Sequence, residues 1–240
     1  MPLLSGLKPE FAMPLYKIID HNPTTRILIW NITESFEQLN QEVQLNEKNQ
    51  LRLNEMKSEM HQCAFLSVRK LLALADYSDF DLYYDEFGKP HLHSENCHSE
   101  FTEVSITHSH HFSAIILSNE PVGIDIEMQR DKIIKIAHKF INDEELNRLQ
   151  KRNHTEYIKK LTIKWGVKEA IFKIRNEKGI SFKDHINVQP FELNEQQAVA
   201  NLHFNGLHHQ YTIYFSELDT NFTLVYTMEP QSQTPKQQSC

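Results

Sequence analysis

The apolar positions change period along the chain, and the changes mark its elements. Leu15 to Asp20 and Arg26 to Ile32 are rich in branched residues and predict two strands joined by a turn at His21-Asn22-Pro23-Thr24. A helical pattern runs from about Ser35 to Leu74, with a break near Leu45-Asn46. Short strands are expected at Leu82–Tyr84, His91–Leu92, Glu103–Thr107 and Ser113–Leu117. Val122-Gly123-Ile124-Asp125-Ile126-Glu127 is a further strand, bounded by Asn119-Glu120-Pro121 and Met128-Gln129-Arg130-Asp131. Helices then follow over 131–139, 143–151 and 154–175, and strands near 185–188, 198–204, 208–216 and 221–228. A helical stretch followed by antiparallel strands occurs twice, the order of an α+β fold.

Two of these elements carry unusual chemistry. On the Val122 strand, alternation puts Asp125 and Glu127 on one face and Ile124 and Ile126 on the other. Paired carboxylates repel unless a cation lies between them. Mg²⁺, which takes oxygen ligands and keeps room for phosphates, suits such a pair; the competing reading is an edge strand with a solvated acidic face. On the 154–175 helix, Ile158, Leu161, Trp165, Ala170 and Phe172 form a broad apolar stripe. Trp165, Glu169 and Lys173 follow one another at four-residue spacing, so they share a face. A Glu–Lys pair at that spacing is ordinarily a weak surface ion pair. Beside Trp165 and Phe172 it becomes a half-buried pair and a site candidate. Three carboxylates and a diphosphate around one divalent cation would leave about −3 of charge, which a low-dielectric cleft does not tolerate. Lys168 and Lys173 supply cations, and Glu169, from a different element than the strand pair, is the carboxylate best placed to take up a proton.

Composition narrows the class. The chain has 240 residues, 40% of them hydrophobic, enough for a core and one or two domains. No apolar run reaches the roughly 20 residues of a membrane span, and the N-terminus lacks the apolar stretch of a signal peptide. Cys63, Cys97 and Cys240 are odd in number and far apart, as in a reducing cytoplasm. The net charge of −7 argues against a general nucleic-acid binder. His108-Ser109-His110-His111 admits a zinc reading, which no cysteine or third histidine at ligand spacing supports.

The motif Gly123-Ile124-Asp125-Ile126-Glu127, followed some forty residues on by Trp165-Gly166-Val167-Lys168-Glu169-Ala170-Ile171-Phe172-Lys173, resembles the 4′-phosphopantetheinyl transferases, in particular the long form that activates surfactin synthetase. Asp85-Glu86-Phe87-Gly88-Lys89-Pro90, Ser105-Ile106-Thr107-His108-Ser109, the Arg69-bearing stretch Phe65–Leu72 and Lys178-Gly179-Ile180-Ser181 extend the resemblance from about Arg69 to Val188. Thr107 and Gly166 depart from the family pattern, which usually has serine at the first position and serine, cysteine or threonine at the second.

The resemblance implies a pseudo-dimer of two similar α+β halves, each a long helix on a small, largely antiparallel sheet. The halves would be 1–119 and 120–228, with a disordered tail over 229–240. It implies transfer of the phosphopantetheine arm of coenzyme A, the co-substrate, to a serine of an apo acyl or peptidyl carrier protein. Mg²⁺, or Mn²⁺, would sit on Asp125, Glu127 and Glu169. Glu169 would complete the metal shell or take the serine proton, and Lys173 would neutralise the leaving phosphate. Arg69, Lys89, Pro90, Thr107, His108 and Lys168 would bind coenzyme A in a cleft between the halves. Lys132, Lys135 and Lys139, beside Ile133, Ile136 and Phe140, offer an acidic carrier a basic stripe. A monomeric cytoplasmic enzyme, without nucleic-acid or membrane partners, is the expectation. Two rivals are a non-catalytic coenzyme A or carrier binder and a metal-dependent phosphodiesterase; Gln129 stands where the latter wants lysine.

Overall fold

The computed structural model describes residues 14–93, 101–149, 153–219 and 221–229. Strands β1 (Leu15–Asn22) and β2 (Thr25–Asn31) form a hairpin, followed by helices α1 (Phe36–Glu42), α2 (Glu47–Glu55) and α3 (Glu59–Ala73). A small hairpin, β3 (Leu82–Tyr84) and β4 (Pro90–Leu92), precedes β5 (Glu103–Ser109) and β6 (Phe112–Ser118). Strand β7 (Val122–Met128) leads into α4 (Lys132–Ile136), α5 (Asp143–Arg148) and the 22-residue α6 (His154–Arg175). Strands β8 (Ile186–Val188), β9 (Gln197–Phe204), β10 (Leu207–Leu218) and β11 (Phe222–Met228) complete the order.

The expected helical stretch over 35–74 breaks at Leu45-Asn46 as read and once more beyond it, giving three helices. Asn46 caps α2 by accepting a hydrogen bond from the Asn49 amide, and a second break at extended Met56 was not legible in the apolar pattern. The 131–139 helix is one five-residue α-segment and a 3-10 turn, Ala137–Lys139. Of the expected tail, Glu229 is ordered, accepting hydrogen bonds from Arg175 and Tyr211. The remainder of that tail lies outside the described residues, as do Cys97 and Cys240.

Two antiparallel sheets run in the orders β1-β2-β6-β5 and β7-β11-β10-β9-β8. In each, the strand before the long helix pairs with the last strand of the hairpin that follows it: β2 with β6, and β7 with β11. Val68, Leu71 and Leu72 of α3 cover one face of the first sheet, at Leu28, Trp30, Ile115 and Leu117. The opposite face, through Ile27, Ile29, Ala114 and Ile116, packs on Ile124, Ile126 and Leu224 of the second sheet. Val167, Ile171 and Ile174 of α6 close the far side of that sheet. The layers therefore run helix, sheet, sheet, helix, and β6 is buried along its whole length.

Helix α6 is buried on more than its sheet-facing side, which explains why its sequence stripe is broad. Lys164 and Lys168 lie on its other side, almost fully buried, and share one carboxylate. Glu145 accepts from Lys164 Nζ at 3.0 Å and from Lys168 Nζ at 2.7 Å. The Phe182 and Ile186 carbonyls take the other two protons of Lys168, the Val188 carbonyl takes a second one from Lys164, and the Val188 amide donates to Glu145. The cluster ties α5 and the β8 region to α6. Removing Glu145 leaves two buried lysines uncompensated. Glu145→Ala is expected to cost on the order of 3–5 kcal/mol in denaturant unfolding. Lys168→Met leaves Glu145 paired with Lys164 and is expected to cost clearly less.

On the sheet-facing side, glycines set the distance. A Cβ on Gly123 would lie 1.9 Å from the carbonyl oxygen of Ala170 in α6. Backbone cannot yield that much, so Gly123→Ala is expected to destabilise by about 3 kcal/mol, the upper end of overpacking costs, measured by thermal or urea unfolding.

Candidate active site at the β7–α6 junction

Pairing of β7 with β11 turns Asp125 and Glu127 toward α6, while Ile124 and Ile126 enter the core between the sheets. The free edge of β7 meets the free edge of β5 through side chains. Ser105 Oγ accepts the Ile124 amide at 3.3 Å and Thr107 Oγ1 accepts the Ile126 amide at 3.1 Å. Thr107 also donates to Asp125 Oδ1 at 3.2 Å. Lys173 Nζ reaches the same oxygen at 3.0 Å and the Ile124 carbonyl at 2.7 Å. Asp125 is 6% exposed, and its second oxygen, Oδ2, is buried without a hydrogen-bond partner.

Glu127 Oε1 accepts from Trp165 Nε1 at 3.0 Å. Burial first, then the charges of Asp125 and Glu169, raise the Glu127 carboxyl to about 7 against the opposing pull of Trp165 and Lys173. Glu169, half-buried, is raised by burial and by Asp125 against the pull of Lys173. Asp125, Glu127, Glu169 and Lys173 thus share one electrostatic neighbourhood. Among the described residues no three His, Cys, Asp or Glu side chains are already gathered around a common point. Asp125 is held by Lys173 and Glu127 by Trp165. A donor set of carboxylate oxygens, one of them buried and unpartnered, fits a hard divalent cation.

A cleft of about 240 Å³ opens beside this junction, lined by Tyr84, Lys89, Pro90, Ser105, Phe172 and Lys173 among others. Lys89 follows a turn with Gly88 at φ +82°, pinned by Asp85 Oδ1 accepting from the Phe87 and Lys89 amides. Its ammonium donates to the Ile174 carbonyl at 3.0 Å, at the C-terminal end of α6. His108 follows Thr107 on β5, with its ring 6.0 Å from that of His61. Its side chain is open by surface area, yet the protein around it is dense enough that burial leads in lowering the imidazole; His61 and Lys173 add to this and Asp125 opposes.

Two expected coenzyme A contacts lie elsewhere. Arg69 is 4% exposed; its Nε donates to Asp79 at 2.8 Å, and its guanidinium lies 3.6 Å from the Phe65 ring centre. It ties α3 to the turn before β3 and presents no open face to a phosphate. Lys168 is fully buried and is held by Glu145, Phe182 and Ile186. Burial brings its ammonium down to about 8. Its adjacency to Glu169 in sequence put it on the wrong side of the helix.

The parts played by three residues went unread, although Trp165 was placed on the site's face. Ser105 links the two sheet edges and lines the cleft. Trp165 donates to Glu127. Glu145 neutralises the buried lysines. The signal for the first was the Ser105/Thr107 alternation, and for the last a pair of lysines four apart inside an apolar helix.

Glu127 also sets a pH dependence. Its folded pKa lies above the ordinary value of 4.5, so the folded state binds the proton more tightly than the unfolded state does. Its contribution to stability is therefore fullest at low pH and declines as pH rises from about 4.5 through about 7. In metal-free protein, Glu127→Gln is expected to flatten that part of the thermal-stability profile and to raise the melting temperature at pH 8. A profile unchanged by the substitution would contradict this account.

Residues 121–227 match the family model described as the 4′-phosphopantetheinyl transferase superfamily. The 4′-phosphopantetheinyl transferase gsp of Aneurinibacillus migulanus is 28% identical over 134 residues, 56% of this chain and 52% of that protein. The chain thus matches about half the length of this curated relative. Strand β7, helix α6 and strands β8 to β10 all fall within 121–227, so it is the stretch carrying the carboxylates and Lys173 that is similar to the 4′-phosphopantetheinyl transferase superfamily.

Proposed function

We propose that the protein transfers the 4′-phosphopantetheine arm of coenzyme A to a serine of an apo acyl or peptidyl carrier protein, releasing adenosine 3′,5′-bisphosphate. The observation that carries this reading is the buried, unpartnered Oδ2 of Asp125 in the electrostatic neighbourhood of Glu127, Glu169 and Lys173, the last of which lines a cleft together with Lys89. Asp125, Glu127 and Glu169 would hold Mg²⁺ or Mn²⁺. When bound, the cation supplies charge neutralisation and polarises the diphosphate. Glu169 completes the metal shell or accepts the serine proton as the serine oxygen bonds to phosphorus and the diphosphate P–O bond breaks. Lys173 meets the charge that grows on the departing oxygen. Lys89, Pro90, Thr107 and His108 form the nucleotide side.

The two halves, 1–119 and 120–228, act as a pseudo-dimer in this reading; the matching strand orders of the two sheets support it. The carrier docks beside Glu127, where Lys132, Lys135 and Lys139 are exposed. A groove of about 170 Å³ there runs past Lys132, Ile133, Ile136 and Trp165 to Glu127. Among the described residues no helix is long and apolar enough to cross a membrane.

Mass spectrometry of apo carrier proteins incubated with coenzyme A, Mg²⁺ and the protein tests the reading. One phosphopantetheine should be gained per carrier. Asp125→Ala and Glu169→Gln should each slow the gain by about 100-fold or more. Coenzyme A binding without transfer across a panel of carriers would favour a non-catalytic binder. Full rates in both variants would sink the site assignment.

A further inference from the structure

The hairpin of β9 and β10 turns through Asn205 and Gly206, both left-handed, at φ +50° and +80°. A two-residue loop of that kind fixes the register of the strands it joins. Phe204 pairs with Leu207 beside the loop, and His203 pairs with His208 one step further in. The His203 amide donates to the His185 carbonyl, away from β10. His203 and His208 therefore form a non-hydrogen-bonded pair, the kind whose side chains stand closest across an antiparallel ladder. The two imidazoles use that closeness. Their Nδ1 atoms are 3.0 Å apart, their rings lie at 85° to each other, and both residues are exposed. Neighbouring histidines are committed elsewhere. His185 accepts the Ser181 amide on Nδ1 and lies against Phe204, and His209 holds Glu229.

Two imidazoles that face each other in water gain little from one shared hydrogen bond. A cation bound to both nitrogens gains from each. Metal–imidazole bonds are about 2.0–2.1 Å long, so nitrogens at the observed spacing subtend about 90° at the metal. A tetrahedral ion would want them about 3.4 Å apart. A right angle is instead that of adjacent positions in octahedral or tetragonal coordination, which imidazole gives to nickel and copper.

We propose that His203 and His208 clasp one divalent transition-metal ion of the nickel or copper class through their Nδ1 atoms. Each ring then carries its hydrogen on Nε2. Among the described residues no third histidine, cysteine or carboxylate completes a cluster, so the other positions of the ion are left to water. The clasp offers nitrogen where the β7–α6 junction offers carboxylate oxygens, so Mg²⁺ does not compete for it. It shares no residue with that junction and is independent of the transferase reading. Its effect is to pin β9 to β10 next to their turn.

The test titrates protein free of any affinity tag with Ni²⁺, in excess Mg²⁺, by calorimetry. Wild type should show one strong site. Once one imidazole has bound, the second binds intramolecularly, so His203→Gln and His208→Gln should each weaken that site by about 100-fold. The double variant should have no strong site that either single variant lacks. Both positions are exposed, and the metal-free melting temperatures of the variants, read alongside, should match that of wild type. Ni²⁺ should raise the melting temperature of wild type and not of the variants. A loss below tenfold in either single variant would mean that the two imidazoles act separately or that the ion sits on other histidines, and would overturn the proposal. Absence of a strong Ni²⁺ site in wild type would overturn it equally.

Discussion

The close approach of α6 to β7 is the constraint from which the site follows. Helix and strand can come this near only because Gly123 has no side chain where the Ala170 carbonyl lies. Ala170 is the neighbour of Glu169, and Lys173 is one turn further on. A helix displaced outward by even a methyl group would carry both away from Asp125. The 3.0 Å contact between Lys173 and Asp125 Oδ1 is thus a consequence of packing as much as of charge. Mid-strand glycine ordinarily weakens a sheet, and here that weakness is offset by the buried interface of α6 with β7 and β11.

A second junction works at right angles to the first. Strands β5 and β7 are both sheet edges, and neither offers the other a regular ladder. Ser105 and Thr107 supply hydroxyls that accept the β7 amides, which satisfies backbone donors that an edge would otherwise leave buried and bare. Thr107 in turn donates its hydroxyl hydrogen bond to Asp125. One side chain therefore joins the two sheets and orients the acidic residue at once. Substitution of serine by threonine at this position keeps the hydroxyl, and the extra methyl is accommodated in a residue that is 5% exposed.

Much of this was legible in the residue order. Alternation in Val122–Glu127 assigned Asp125 and Glu127 to one face, and four-residue spacing assigned Trp165, Glu169 and Lys173 to another; the fold brings those faces together. What failed was inference from adjacency. Lys168 borders Glu169 in sequence, yet one residue along a helix is a rotation of about 100°, enough to send its ammonium into the Glu145 cluster. Arg69 failed for a different reason. Its partner Asp79 lies on a turn ten residues on, and no local periodicity announces an ion pair made across a turn. Gly166 read as a mere loss of side chain because the neighbour that demands it, Val225, is on a strand 59 positions away.

The distribution of lysines explains the electrostatic character of the site. Four of the lysines of α6 point in three directions: Lys160 to surface glutamates, Lys164 and Lys168 to Glu145, and Lys173 to Asp125. The buried cluster consumes two cations for one carboxylate, so it exports none to the acidic side of the helix. Three carboxylates there face a single ammonium, and burial magnifies the imbalance. Glu127 answers by holding its proton up to about 7 and Glu169 by a shift in the same direction. A proton on Glu127 is thus part of the counter-charge of the metal-free protein near neutrality. A cation entering among these oxygens would take the protons' place, so its binding and proton release are one equilibrium.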